Sequence, residues 1–207
     1  KYDTLISTIP MDQLLLQLKA KPHLSQRASE FVYSSTHVVG IGMDGEVPDE
    51  LVTKCWMYFP EPNSPFYRVT VFSNYSPNNV ARPGKQWSLM CEISESPDKP
   101  VNIENVINET IAGLLACKLI HKEHIIVSRW HKRLEYGYPT PWYGRDAVLS
   151  DIDTELTAMN MYSRGRFGTW KYEVSNQDHS VMQGVEVVNH ILQDKKERTF
   201  YGDMSDD

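Results

Sequence analysis

The chain carries the polar stretch GRFGTWKYEVSNQDHS at residues 165–180, directly before a helical pattern. Gly165 and Gly168 would let the backbone approach a flat ligand closely. Asp178 is placed to cap a helix that we predict from Val181 to Leu192 on the spacing of its apolar residues, Val181, Val185, Val188 and Leu192. A helix N-terminus favours an anion or an electron-rich ligand edge. The stretch predicts a site for a planar, partly anionic cofactor, although an ordinary capped loop–helix junction accounts for it equally well.

Composition narrows the function classes. The 207 residues are enough for one large domain or two small ones, and the formal charge of -6 is densest at residues 203–207. No basic cluster indicates nucleic acid, and no apolar run is long enough to span a membrane. The seven histidines lack metal-ligand spacing, so we predict no metal.

Cysteine usage and the chain start indicate the setting of the protein. Cys55, Cys91 and Cys117 lie in apolar segments without motif spacing, which predicts buried thiols in a reducing compartment, the cytoplasm. No secretory signal pattern is present, and residues 2–10 read as a buried strand that needs neighbours. We expect a C-terminal piece of a longer protein, and a homo-oligomer stays open.

The remaining patterns predict a mixed fold. A helix at 11–18 is followed by strand patterns with short, turn-rich connections, at 37–43, 54–59, 67–73 and 87–94. Short connections favour an antiparallel sheet. An apolar stripe predicts a helix at 102–119, followed by a strand at 125–134 and a helix at 146–159. The predicted fold class is therefore α+β, with an antiparallel sheet domain and flanking helices.

Arg68 is a charged residue within an otherwise apolar strand pattern. Such an arginine should be paired with a carboxylate or should bind an anion. A structural salt bridge, or a side chain that extends to the sheet edge, explains it equally well. Strand alternation places Arg68 and Tyr75 on opposite faces, so they can serve one ligand only if the strand ends before the turn at 73–76.

Several tyrosines lie at predicted strand ends or in polar loops, where a hydroxyl can donate to phosphate or sugar oxygens: Tyr58, Tyr75, Tyr138 and Tyr172. Together with the arginines they indicate a phosphate-bearing ligand. The sequence has no Ser-His-Asp order, Cys-His nucleophile or HExxH motif. Any difficult chemistry would therefore come from a cofactor.

The sequence resembles the eukaryotic branch of the UDP-galactopyranose mutases, within the flavin amine-oxidase-like superfamily. The matching segments are KCWMYFPE at 54–61, SPFYRVTVFSNYSP at 64–77, GYPTP at 137–141, and residues 163–186 from SRGRFG to QGVE. The opening at residues 5–12 is shared more widely among flavin amine-oxidase relatives. The resemblance covers nearly the whole chain, but only the C-terminal half of a family member.

The resemblance implies a FAD-dependent isomerase that interconverts UDP-galactopyranose and UDP-galactofuranose without net redox change. Flavin N5 of reduced FAD would attack the anomeric carbon, UDP would leave, and the sugar would open and reclose on the flavin. Residues 1–30 would give a strand and a helix of a Rossmann-like FAD domain. Residues 31–142 would form the antiparallel substrate domain, and residues 143–207 a helix and the FAD-binding loop and helix.

By motif position, Arg68 would be catalytic, holding the diphosphate and stabilising the UDP leaving group. The other implied substrate contacts are Trp56, Tyr58, Tyr75, Tyr138, Tyr172 and Asn176. The implied cofactor contacts are Arg166, Asn176, Gln177 and Ser180. The helix after them would stabilise anionic reduced flavin through its dipole.

Some features depart from the family pattern. The N-terminal half of the family, which carries the Gly-rich dinucleotide fold, has no counterpart in this sequence. We expect this segment to need that half as its partner and to be inactive alone. Ser175 stands where the family often has Gly, and would cost about 1 kcal/mol if that position needs positive φ. A flavin amine-oxidase-type oxidoreductase and a non-catalytic nucleotide-sugar or protein-binding module are the alternatives. Arg68 among tyrosines disfavours the oxidoreductase, because amine substrates need no diphosphate clamp.

Overall fold

A computed structural model describes residues 2–202. The chain divides into two compact units, and each is described separately. The sheet unit comprises Ser34–Gly137, and the flanking unit comprises the residues up to Tyr33 and those from Tyr138 onward. The predicted mixture of an antiparallel sheet with helices is confirmed.

The sheet unit is built on a five-stranded sheet. Its strands are β2 (Tyr33–Asp44), β3 (Trp56–Tyr58), β4 (Arg68–Val71), β5 (Gln86–Glu95) and β6 (Ile126–Pro139), in the spatial order β3-β4-β5-β2-β6. The pairs β3–β4, β4–β5 and β5–β2 are antiparallel. These strands overlap the predicted ones, with β6 extending further than the predicted strand at 125–134.

The core of this unit lies on one face of the sheet, under helix α3 (Val106–Ala116). Alternate residues of the central strands point into it, including Val39, Ile41, Leu89 and Ile93, all almost completely buried. Since side chains alternate between faces, the intervening residues occupy the opposite face. The period of two therefore separates the core from the surface that carries Arg68.

Two predictions about this unit are corrected. Helix α3 starts at Val106, not near residue 102, because Asn105 takes the N-cap position, and Ile103 ahead of it is exposed. Cys91 is buried, and burial raises the pKa of its thiol, but Cys55 is exposed and Cys117 is only half-buried. The prediction of buried thiols is wrong for Cys55, which directly precedes the edge strand β3 and is exposed.

The flanking unit contains a small parallel sheet. Strand β1 (Leu5–Ser7) pairs with β7 (Met161–Ser163) in parallel register, Leu5 opposite Met161. The helices are α1 (Met11–Gln17), α2 (Pro22–Gln26), α4 (Arg145–Thr157), α5 (Gln177–Gln193) and α6 (Arg198–Tyr201). Helices α1 and α4 match their predictions closely. The predicted strand at 2–10 shrinks to three residues in β1, and β7 was missed because a strand of that length shows no periodicity.

The start of helix α5 differs from the prediction that Asp178 caps a helix beginning at Val181. It begins at Gln177 with Asn176 at the N-cap position, so Asp178 lies in the first turn and is not the cap. An acidic residue there still complements the helix dipole. The predicted apolar residues do share one stripe, but they are exposed, as is Met182 beside them: Val181, Val185, Val188 and Leu192.

A buried charge cluster holds the end of the described chain in place. Arg164 is buried and donates from Nε to Glu197 at 2.6 Å and from Nη1 to Asp153 at 3.0 Å. The ring centroid of Phe200 lies 4.2 Å from the Arg164 guanidinium carbon. Pairing of this kind is what permits an arginine to be buried.

Within residues 2–202, no helix combines the length and apolar character of a membrane span.

A second polar cluster lies on β2, β5 and β6. The buried His37 places Nδ1 2.8 Å from Nε2 of His131, and its Nε2 lies 3.3 Å from Glu95, which accepts a hydrogen bond from Arg133. Burial, and then the neighbouring His37, lower the pKa of His131 below its usual 6.5. Burial alone would raise the pKa of Glu95, but the hydrogen bond from Arg133 and the nearby His37 outweigh burial, so this pKa is lowered.

The lowered pKa of His131 predicts acid sensitivity. The unfolded chain binds this proton at a higher pH than the folded chain, so the unfolding free energy decreases as pH falls through 6.5. His131→Gln should remove that part of the loss, whereas replacing the exposed His121 by Gln should not. Urea unfolding at about pH 7 and about pH 5 measures the difference. An unchanged pH dependence in His131→Gln would contradict it.

Candidate functional site

The first group of predicted site residues lies on the sheet face opposite the core. The strand register sets Tyr58 on β3 opposite Arg68 on β4, and Arg68 opposite Glu92 on β5. Directly opposed residues share a face and lie within side-chain contact. Trp56 is two residues from Tyr58 and so joins the same face. Both aromatic rings are largely exposed, at 59% for Trp56 and 62% for Tyr58.

Arg68 is held by a carboxylate and surrounded by rings. Its Nε donates to Oε1 of Glu92 at 3.1 Å, and its Nη2 donates to both Glu92 oxygens at 2.7 and 2.6 Å. The guanidinium carbon lies 5.5 Å from the Trp56 ring centroid and 6.0 Å from that of Tyr58. A planar cation is thus presented among aromatic faces. Of the predicted alternatives, carboxylate pairing is observed.

Glu92 was missed by sequence reasoning. The available signal was a charged residue in the middle of the otherwise apolar strand pattern at 87–94. Its identity as the partner of Arg68 depends on the register between β4 and β5, which no local pattern contains. The hydroxyl of Tyr67 also donates to Glu92, at 2.7 Å.

Tyr75 meets the condition set for it. Strand β4 ends at Val71, and residues 72–74 form a 3₁₀ turn, so strand alternation no longer dictates where Tyr75 points. Its ring contacts that of Phe72 at a centroid distance of 5.9 Å and is 46% exposed. The turn is anchored by Asn74, whose side-chain amide donates to the backbone carbonyls of Leu51, Val52 and Lys54.

The second group lies in the flanking unit, around Arg166. The guanidinium carbon of Arg166 is 4.4 Å from the Tyr138 ring centroid, and the rings of Tyr138 and Tyr172 are 5.8 Å apart. Arg166 also donates from Nη1 to the Ser175 carbonyl at 2.9 Å. The structure therefore brings Tyr138, Arg166 and Tyr172 together beside the loop that leads into α5.

The backbone conformation of this loop shows which of its positions require glycine. Ser175 has φ of -115°, so its position needs no glycine, and the anticipated strain does not arise. Its hydroxyl donates to the Tyr172 carbonyl at 2.9 Å. Gly165 has φ of +91° and does need glycine, with open space where a Cβ would lie. Gly168 is required by the loop itself, since a Cβ there would lie 2.2 Å from the Arg164 carbonyl oxygen.

The start of α5 has the features of an anion-binding helix end. Among the described residues the Asn176 side chain makes no capping hydrogen bond, and Asn176 and Gln177 are exposed. The half-buried Ser180 lies one turn further on. A helix of this length with an uncapped, accessible first turn can accept an electron-rich group at its backbone N–H groups. That Asn176, Gln177 and Ser180 contact a flavin edge stays a prediction.

The loop is fixed at both ends by side chains that sequence reasoning missed. Gln183 is buried, accepts from the Gly165 amide at 2.7 Å and donates to the Val174 carbonyl at 3.0 Å. Arg145 donates to both oxygens of Glu173, at 2.9 and 2.5 Å. Burial would raise the pKa of Glu173, but the hydrogen bonds from Arg145 outweigh it and lower this pKa.

Gln183 should be important for the stability of the loop. Gln183→Ala leaves two backbone groups without this partner, which should cost roughly 1–3 kcal/mol of unfolding free energy. Gln193→Ala, at an exposed position on the same helix, should change it by less than about 0.5 kcal/mol. Urea denaturation of both variants measures this, and equal midpoints would show that Gln183 does not hold the loop.

Comparison with known proteins agrees with this geometry. No protein-family model matches the sequence. The chain superposes on a solved structure of a reduced UDP-galactopyranose mutase with a TM-score of 0.93 and 50% identity, over 99% of this chain. The chain belongs to the UDP-galactopyranose mutase family. It spans 44% of the length of that mutase.

More distant neighbours share the fold alone. One is a CLA-producing fatty acid isomerase from P. acnes, with a TM-score of 0.63 and 13% identity over 92% of this chain and 42% of that one. Another is a proposed protoporphyrinogen oxidase from Exiguobacterium sp. 255-15, with a TM-score of 0.55 and 17% identity over 77% of this chain and 35% of that one. Of these three matches, the mutase is the one whose identity is high enough to bear on more than the fold.

Proposed function

We propose that this chain is part of a FAD-dependent mutase that interconverts UDP-galactopyranose and UDP-galactofuranose and is active with reduced FAD. The group around Arg68 carries the proposal, because it sets a fixed cation among exposed rings on the sheet face opposite the core. A nucleotide diphosphate needs such a cation, and an amine substrate does not. The 50% identity to a UDP-galactopyranose mutase supports the same assignment.

In this proposal Arg68 binds the diphosphate and stabilises the charge that develops on departing UDP. Trp56 and Tyr58 lie beside the Arg68 guanidinium and complete the phosphate-facing surface of the sheet unit. Tyr75 adds a hydroxyl from the turn after β4. In the flanking unit, Tyr138, Tyr172 and Asn176 contribute further substrate contacts.

The cofactor contacts proposed for this chain are Arg166, Asn176, Gln177 and Ser180. The open side of Gly165 and the uncapped start of α5 support this assignment. When bound, reduced FAD supplies a nucleophile for a displacement without net redox change. The role of this chain is to orient the flavin and, through the dipole of α5, to stabilise its negative charge.

We further propose that the N-terminal half of the same protein covers the exposed face of α5. That face presents five apolar side chains, Val181, Met182, Val185, Val188 and Leu192, and within residues 2–202 the parallel sheet has two strands. Parallel sheets are normally covered on both faces and contain more strands than this. The part of the matched mutase that this chain does not span is long enough to supply them.

The free thiols of Cys55, Cys91 and Cys117 suit a reducing compartment, such as the cytoplasm.

Turnover by the full-length protein tests this function. UDP-galactofuranose should give UDP-galactopyranose after reduction with dithionite, and little product with the oxidised enzyme. The present chain alone should be inactive and should gain activity when mixed with the remainder of the protein. Equal rates in both redox states would contradict the proposal. Peroxide formation from an amine without sugar turnover would favour the oxidoreductase alternative.

Arg68 and Arg166 should separate substrate binding from cofactor binding. Arg68→Ala should weaken UDP binding about tenfold or more, the worth of a charge-assisted hydrogen bond, with flavin content kept. Arg166→Ala should lower flavin content while largely keeping UDP affinity. Arg68→Lys should recover UDP affinity in part, since lysine lacks the planar fork.

Flavin absorbance per protein and UDP titration of the reduced full-length enzyme measure both effects, and each variant is the control for the other. If Arg68→Ala keeps UDP affinity but loses thermal stability, the Arg68–Glu92 pair is purely structural. Full flavin content and an unshifted flavin potential in Arg166→Ala would show that the loop does not serve the flavin.

A further inference from the structure

Glu92 is a buried carboxylate at the centre of the sheet face that carries Arg68. We propose that Glu92 is a positioning residue that orients Arg68 for a nucleotide diphosphate, which rests on the function proposed above. It would act through Arg68 and would not itself contact the ligand.

The environment of Glu92 makes this position costly unless the carboxylate is paired. The register places Glu92 between Arg68 on β4 and Val38 on β2, within the interior of the sheet. An unpaired buried carboxylate is strongly disfavoured. Both oxygens of Glu92 accept hydrogen bonds from Arg68, and Oε2 also accepts from the Tyr67 hydroxyl at 2.7 Å. The sheet can therefore keep the charge only by holding these partners in place.

The pairing fixes the plane of the guanidinium. Contacts through Nε and Nη2 lock one edge of the fork against the carboxylate, at 2.6–3.1 Å. The rings of Trp56, Tyr58 and Tyr67 limit the same group to within 5.5–6.0 Å of their centroids. A long arginine side chain that is already ordered loses less conformational entropy when a phosphate binds.

Glu92 also places a negative charge near the proposed phosphate, which opposes binding. The two effects predict opposite results for a neutral replacement of the same shape. If repulsion dominated, Glu92→Gln would bind UDP more tightly. We expect orientation to dominate, because both carboxylate oxygens are used by Arg68, and an amide retains only one acceptor.

UDP titration of the reduced full-length enzyme tests this in a double-mutant cycle. Glu92→Gln should weaken UDP binding about fivefold to tenfold in the parent and less than about twofold in the Arg68→Ala background, because the effect passes through Arg68. Glu92→Asp keeps the charge but withdraws the carboxylate, and should lose a similar amount. Glu95→Gln, on the same strand but outside this row, should leave UDP affinity unchanged.

If Glu92→Gln does not fold, Tyr67→Phe provides a milder version. It removes the hydroxyl bond to Glu92, and its loss of about twofold to threefold should disappear in the Arg68→Ala background. Tighter UDP binding by Glu92→Gln, or an equal loss in both backgrounds, would overturn the inference. A loss with Arg68→Ala but none with Glu92→Gln overturns this inference alone. No loss with Arg68→Ala overturns the proposed function as well.

Discussion

The alternation of side chains across the five-stranded sheet is the constraint on which the rest of the sheet unit depends. One face supplies the core under α3, through residues such as Val39, Ile41 and Leu89. The other face is left to carry Arg68, Tyr58 and Trp56. A slip of one residue in register would exchange these faces, so the apolar core and the face that carries Arg68 are specified together.

Arginine side chains that are largely removed from solvent are held by carboxylates in both units. Arg68 is matched by Glu92, and Arg164 by Asp153 and Glu197. The cost of removing each charge from water is offset by specific hydrogen bonds. The consequences differ with location. Arg164 pairs with Glu197 near the end of the described chain, whereas the Arg68 pair lies beside exposed aromatic rings.

In the flanking unit, the loop before α5 is held by several hydrogen bonds, whereas the apolar stripe of α5 is exposed. Gln183 and Arg145 tie the loop to α5 and α4, and Arg166 is oriented by the Ser175 carbonyl. The apolar stripe of α5 is nevertheless exposed, and the parallel sheet has two strands in the described part of the chain. The chain spans 44% of the length of the matching mutase, and the N-terminal half proposed above would cover this stripe.

The sequence by itself determined the antiparallel strands, the main helices and the family, because periodicity, turn residues and motif order are local properties. It also identified Arg68 as a residue that needs a carboxylate or an anion, and placed Arg166 in the glycine-containing loop that precedes a helix. Only the tertiary structure decided that Glu92 is that partner, that Asn176 and not Asp178 occupies the cap position, and that the α5 stripe is exposed. Partner choice and burial depend on strand register and on packing between distant segments, and a single stretch of sequence contains neither.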